Sequence, residues 1–168
     1  MSDFKTNLND NRLAEEAAHG LDGVIDKTDL KHSKHLYGLV VQYEDIDAGG
    51  IVYHSTYLNF AERARSALLR ASKFDVQYWL AEENQGFVIT HIETDYLSPA
   101  KLHNRLIVET SCLQLGGASA LLQQNINSFD RGHIFARVMV KAAWVDIELG
   151  PRKFPEPLQM VLRSFQPK

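Results

Sequence analysis

The chain has 168 residues, 45% of them hydrophobic and 23% charged, the proportions of a globular protein and not of a disordered one. One domain of this size buries about 70% of the surface its unfolded chain exposes, so no disulfide or metal staple is needed. The net charge of −3 gives no electrostatic reason to bind nucleic acid or an anionic membrane, and the lone Cys112 leaves no internal disulfide and no paired-cysteine motif.

No stretch approaches the ~18 uninterrupted apolar residues of a membrane span, and the first twenty residues contain no signal-peptide core. A soluble protein in the reducing cytoplasm is expected, without nucleic acid or membrane insertion.

Residues 1–35 hold Phe4 as their sole aromatic, against 16 aromatics in the whole chain, together with seven acids and five bases. That composition offers little apolar area against the entropy of ordering. Its EEAA run predicts a short helix over Leu13 to His19, marginal in isolation. The expectation is an N-terminal extension over residues 1–35, flexible, preceding a domain over 36–168. The sharper option is an arm that orders against a neighbouring subunit.

Leu36–Tyr43 is β-branched and aromatic and predicts the first strand. EDIDAGG follows, a cluster of turn formers with adjacent glycines. From Ser55 the period changes. Tyr57, Phe60, Ala61, Ala64, Leu68 and Ala71 recur at helical spacing, with Ser55 or Thr56 as the N-cap. Three of those six are alanine, so a sheet can approach this helix closely. A shorter helix is predicted near Asp75–Glu83, capped by Asp75. Four strands follow at Phe87–Tyr96, Leu106–Leu115, Ala120–Phe129 and Ile134–Val145. In the last, Ile134, Ala136, Val138, Val140, Ala142 and Trp144 make one apolar face, with Arg137 and Lys141 on the other. A helix-rich stretch with one strand before it and four after predicts an α+β domain.

Tyr43 to Tyr57, YEDIDAGGIVYHSTY, lies where strand, loop and helix meet. Glu44, Asp45 and Asp47 put three carboxylates within four residues, one of which is expected to turn inward. Gly49 and Gly50 permit a tight turn and a close approach of backbone to a ligand. Residues just ahead of the helix carry unpaired N–H groups at its positive dipole end, suited to a polarised carbonyl or an oxyanion. His54 sits at that helix start. Singly, each feature reads as a solvated cap, a turn or a structural histidine; together they weigh evenly between structure and function.

The segment VQYEDIDAGGIVYHSTYLNFAERARSALL resembles the signature of hotdog-fold thioesterases of the 4-hydroxybenzoyl-CoA thioesterase type, most closely the Tol-Pal-associated (YbgC-like) acyl-CoA thioesterases. One departure is Ile46, where threonine is usual. A weaker likeness extends over roughly Leu36 to Leu162. The resemblance implies an antiparallel sheet wrapped round a long central helix, assembled as a homodimer or homotetramer with active sites at the dimer interface. It implies hydrolysis of an acyl-CoA, or of an acyl group on an acyl carrier protein, without cofactor or metal. By position, Asp47 matches the catalytic aspartate, as nucleophile or general base. His54 matches the associated histidine, whose backbone N–H would polarise the thioester oxygen. Gly49, Gly50, Tyr53 and Tyr57 fall at substrate-binding or channel-lining positions. Glu62, beside Arg63 and Arg65, fits an ion pair better than the catalytic carboxylate that another hotdog branch places on its helix.

Other chemistries find less support. The close pair His32 and His35 has no cysteine nearby, Cys112 reads as a small buried hydrophobe, and G-x-S-x-G is absent. A hydratase would require an aspartate and a histidine in a tighter, proline-containing motif. The competing reading from another class is a non-catalytic acyl-binding or scaffold protein on the same fold.

Overall fold

The computed structural model describes residues 12–28 and 33–166. Helix α1 over residues 12–19 leads to strands β1 (Val24–Asp26) and β2 (Lys34–Val40) and a 3-10 turn at Tyr43–Asp45. Helices α2 (Thr56–Ala71) and α3 (Val76–Glu82) follow. Then come β3 (Gln85–Tyr96), β4 (Arg105–Leu115), β5 (Ser119–Ser128), β6 (Ile134–Asp146), β7 (Gly150–Pro151) and helix α4 (Glu156–Ser164). The strands make one sheet in the order β1-β2-β4-β5-β6-β3, with β7 on β6, and every pairing is antiparallel.

α2 is the expected long helix, and it touches β1, β2, β4, β5 and β6. Its buried stripe is Thr56, Tyr57, Phe60, Ala61, Ala64, Ala67 and Leu68. Leu106, Val108, Ile126, Ala136, Val138 and Val140 of the sheet close on it. Because Ala61, Ala64 and Ala67 project so little, the strands come in on several sides, and the helix lies inside the sheet's curve as expected for the hotdog arrangement. β6 alternates as predicted, with Ala136, Val138, Val140, Ala142 and Trp144 buried and Lys141 exposed. Asp75 caps α3 by accepting the Tyr78 N–H at 3.0 Å.

Three local differences have physical causes. The strand predicted over Leu36–Tyr43 is β2, which ends at Val40, short of Tyr43. There the Asp45 carboxylate accepts the Gln42 N–H at 2.7 Å, drawing the chain out of the ladder into the 3-10 turn, with Tyr43 exposed. α4, absent from the sequence reading, buries Leu158 and Leu162 one turn apart, with Phe165 just beyond.

The third concerns the segment set apart on composition. The predicted helix forms, and Leu13, Ala14 and Ala17 bury against Leu36 and Ile107. The fit is close: a Cβ on Gly38 would stand 2.6 Å from the Ala18 Cα and 2.9 Å from the Ala17 carbonyl oxygen. Arg105 reaches the Glu15 carboxylate at 3.1 Å and lies 3.6 Å over the Phe129 ring. β1 then adds a strand alongside β2. Residues 12–28 therefore order against the sheet of their own chain, through small side chains on a glycine and not through aromatic area. His32 lies outside the described residues.

Candidate active site

Residues 45–53 form a short hairpin. Ile46 bridges Val52, the Asp47 N–H donates to the Ile51 carbonyl at 3.0 Å, and the Gly50 N–H donates to the Asp47 carbonyl at 3.0 Å. Asp47 thus opens a four-residue turn, and its Oδ1 accepts the Gly49 N–H at 2.7 Å, the local bond that favours aspartate at this position. Its second oxygen has no protein partner among the described residues. The two glycines serve this shape differently. A Cβ on Gly49 would stand 3.0 Å from Asp47 Oδ1, and Gly50 has φ +75°, a conformation costly to residues with a side chain.

Of the three clustered carboxylates, the one turned inward is Asp45. It is buried and structural: besides holding Gln42, its carbonyl accepts the Tyr53 N–H at 2.9 Å. Asp47 stays exposed. Ile46 packs against the core around α2, a place an apolar side chain fills well.

The hairpin delivers the chain to α2. Thr56 N–H donates to Tyr53 carbonyl at 2.9 Å and Leu58 N–H to Ser55 carbonyl at 3.0 Å. Ser55 is the N-cap, and its side chain makes no capping bond. The N–H groups of His54 and Ser55 have no acceptor among the described residues. These are the unpaired donors anticipated at the helix start. His54 is exposed, its ring 4.3 Å from that of Tyr53.

Opposite stands the link from β3 to β4. Val52 N–H donates to Ala100 carbonyl at 2.9 Å, and Ala100 N–H donates to the Tyr57 hydroxyl at 3.0 Å. Tyr57 is buried, and burial holds its phenol above the usual range. Between hairpin and link opens a depression of about 400 Å³ lined by Asp47, Ile51, Val52, His54, Tyr57, Tyr96, Leu97, Ser98 and Pro99. Asp47, His54 and Tyr57 are therefore brought together. Gly49, Gly50 and Tyr53 lie beside the depression in the hairpin and the turn after it, outside its lining.

The profile of the thioesterase-like superfamily matches residues 41–165. The chain belongs to that family. An acyl-CoA thioesterase YbgC from Haemophilus influenzae is 39% identical over 127 residues, 75% of this chain and 92% of its own. Among solved structures, a probable thioesterase from Bartonella henselae is 30% identical at a TM-score of 0.68, covering 73% of this chain and 99% of its own. A 1,4-dihydroxy-2-naphthoyl-CoA thioesterase from Synechocystis overlays with a TM-score of 0.73 over 77% of this chain and 96% of its own. At 20% identity that likeness concerns the fold.

In this member of the thioesterase-like superfamily, Glu62 lies away from the Asp47 depression. It pairs with Arg65 on the same helix, and Arg65 donates to Gln124 Oε1 at 2.7 Å. Gln124, fully buried, donates in turn to the Ala61 carbonyl at 2.9 Å and Thr110 Oγ1 at 3.1 Å. Glu62 thus belongs to an ion pair tying α2 to the sheet, at the mouth of a separate, largely apolar cavity of about 150 Å³. Cys112 is buried, which pushes its thiol up to about 11, so it is inert at neutral pH. The sequence reading missed Tyr96 and Ser98. Tyr96 donates to the His54 carbonyl at 3.0 Å, and the Ser98 hydroxyl bonds His133 Nε2. Both sit about forty residues beyond the motif in sequence, and the bridging of the hairpin to the β3–β4 link, Ile51 to Lys101 and Val52 to Ala100, brings them near.

Proposed function

We propose that this chain hydrolyses the thioester of an acyl-CoA, with Asp47 as the reacting carboxylate and the N–H groups at the start of α2 as donors to the thioester oxygen. One observation carries this: Asp47, with one oxygen unengaged, and His54, with its N–H unpaired, line a single depression. Hydrolysis needs an attacking group, a donor for the oxyanion that forms as the carbonyl carbon becomes tetrahedral, and a leaving thiolate. Asp47 either attacks the carbonyl carbon itself or takes a proton from the attacking water. When water attacks, C–S cleavage gives the free acid and CoA thiolate directly. When Asp47 attacks, C–S cleavage leaves the acyl group on Asp47 as a mixed anhydride, which water then splits to the free acid and the restored carboxylate. The thiolate takes up a proton in either case. The acyl-CoA thioesterase and thioester hydrolase activities for which relatives of this chain are named support the same reaction.

The working assembly in this reading is at least a homodimer. β3 is a twelve-residue strand at one edge of the sheet, and Val88, Ile89, Ile92 and Tyr96 on it are exposed. A long unpaired apolar edge is a template for a second copy. Since Tyr96 and Leu97 also line the Asp47 depression, pairing there would place the substrate channel between two chains. Gly49, Gly50 and Tyr53 are assigned to that channel's rim. Acyl groups on a carrier protein are a second substrate source, and the cytoplasm, which suits a protein whose one thiol is unpaired and buried, is the compartment. No helix among the described residues is long and apolar enough to cross a membrane.

Thiol release from a panel of acyl-CoAs and acyl carrier proteins tests the reaction. Turnover of at least one supports it, and binding without release of thiol from any sinks it. Single turnover in 18O water separates the two roles of Asp47: label appearing in the carboxylate identifies a nucleophile. A monomeric mass by light scattering in an active preparation would exclude the shared site.

A further inference from the structure

One wall of the depression, the end of β3, has no part in the chemistry above. Tyr96, the last residue of β3, is half-exposed and donates its hydroxyl to the His54 carbonyl at 3.0 Å. Its ring meets the His54 ring edge-on at 6.4 Å and the Tyr57 ring edge-on at 5.7 Å. Tyr57 is itself fixed, being buried and accepting the Ala100 N–H. The strand also holds Tyr96 through its pairing with Ala136 of β6. The contacts make a brace. The β3–β4 link fixes Tyr57, Tyr57 and β6 fix Tyr96, and Tyr96 fixes a carbonyl at the start of α2.

That carbonyl belongs to the peptide joining His54 to Ser55, which is planar. Holding its oxygen sets the rotation of the plane, hence the direction of the Ser55 N–H, and restrains the turn through which His54 presents its own N–H. Such donors act on a developing oxyanion only when aimed at where the charge will appear. The Tyr96 bond is the sole side-chain hydrogen bond to His54 or Ser55 among the described residues.

We infer that Tyr96 is a positioning residue for thioester hydrolysis, acting through the His54 carbonyl to aim the N–H groups at the start of α2. This rests on the acyl-CoA reading, so one arm of its test is independent of turnover. Tyr96→Phe removes the hydroxyl and keeps the ring. The kcat should fall by about threefold to tenfold, the worth of one hydrogen bond. The KM for the same acyl-CoA should move less than about twofold, since the lost contribution belongs to the transition state. The backbone amide resonances of His54 and Ser55 should shift while those of β4 and β5 stay in place. His54→Ala keeps the carbonyl, so adding Tyr96→Phe to it should cost the same factor as in the unaltered chain.

A purely structural Tyr96 would lower the melting temperature and leave kcat per folded site unchanged. That result overturns the inference. So do unshifted His54 and Ser55 amides, or an effect that disappears in the His54→Ala background, which would place the coupling in the rings. Shifted amides in a chain that releases thiol from no acyl-CoA would instead overturn the acyl-CoA reading, and the positioning role with it.

Discussion

The sheet carries a helix on each face, and the two are seated alike but serve different ends. On β2, Tyr37 and Leu39 face the core around α2, while Leu36 and Gly38 face α1, as alternate residues of a strand must. On β4, Leu106 and Val108 belong to the first face and Ile107 to the second. Both helices approach through alanines: Ala61, Ala64 and Ala67 on one side, Ala14 and Ala17 on the other. Of the two, only α2 begins at a polar hairpin with unpaired N–H groups and a free carboxylate oxygen among the described residues. Close packing alone therefore does not make a site. The candidate site lies where a helix start meets a turn whose polar groups are not consumed by the fold, and α1 has no such junction in the described residues.

The largest expected effect follows from that difference. Asp47→Asn keeps the turn, because the amide oxygen can still accept the Gly49 N–H, but it removes the charge proposed to react. Turnover should fall at least ~10²–10⁴-fold, the range for a positioned acid–base or nucleophilic group, with KM nearly unchanged. Glu62→Gln should leave turnover near normal, since that carboxylate pairs with Arg65 away from the depression. Collapse in Glu62→Gln with normal turnover in Asp47→Asn would transfer the role to α2. His54→Ala should cost less than Asp47→Asn, about tenfold or below, because the backbone donor survives loss of the imidazole. A His54→Ala loss equal to that of Asp47→Asn would make the ring a proton carrier.

How much of this was legible follows the same division. Around α2, the sequence carried a helical period, a cluster of turn formers and a dense family signature, and the two residues it singled out, Asp47 and His54, line one depression. The inward carboxylate, Asp45, could not be told from its neighbours, because three acids in four residues share one composition and only the hydrogen bond to Gln42 distinguishes them. Tyr96 and Ser98 carried no local signal, since their place depends on strand pairing across forty residues. On the other face, α1 was readable as a helix but not as a docked one. Its docking depends on Gly38, and nothing in LYGLV announces which helix a glycine admits.

The outer face yields the middle-sized effect. Gly38→Ala would set a Cβ against the Ala18 and Ala17 backbone, which cannot move without displacing α1. The cost should be about 1–3 kcal/mol, as for overpacking a close contact, and about 3–10 °C in melting temperature. Deleting residues 1–28 should also lower the melting temperature, by uncovering Leu36 and Ile107, while kcat per folded chain stays within about twofold, since no residue of the depression is touched. A large loss of turnover in a folded, still-oligomeric truncation would show that the N-terminal segment reaches the site of a neighbouring chain.

The smallest effect lies beneath that segment, at His35. It is completely buried, its Nε2 lies 2.7 Å from the Asp22 carbonyl, and its Nδ1 has no partner in the described residues. Burial is the main cause that holds its pKa below 6.5; the Asp22 carbonyl and carboxylate pull upward, and Arg70 adds a smaller downward push. The folded chain therefore keeps His35 neutral, donating from Nε2, where the unfolded chain would take up a proton. Stability from this group is complete above pH 6.5 and declines as pH falls through 6.5 toward the lower folded value, with a slope of at most about 1.4 kcal/mol per pH unit. His35→Gln retains a donor for the Asp22 carbonyl and cannot charge. Melting temperatures between pH 7.5 and 5 should fall less steeply for this variant than for the unaltered chain. The Glu15–Arg105 pair on the α1 face is half-exposed and, being a surface ion pair, contributes little of that slope. Parallel curves would mean that His35 charges in place, and that the α1–β1 segment opens or admits water to let it.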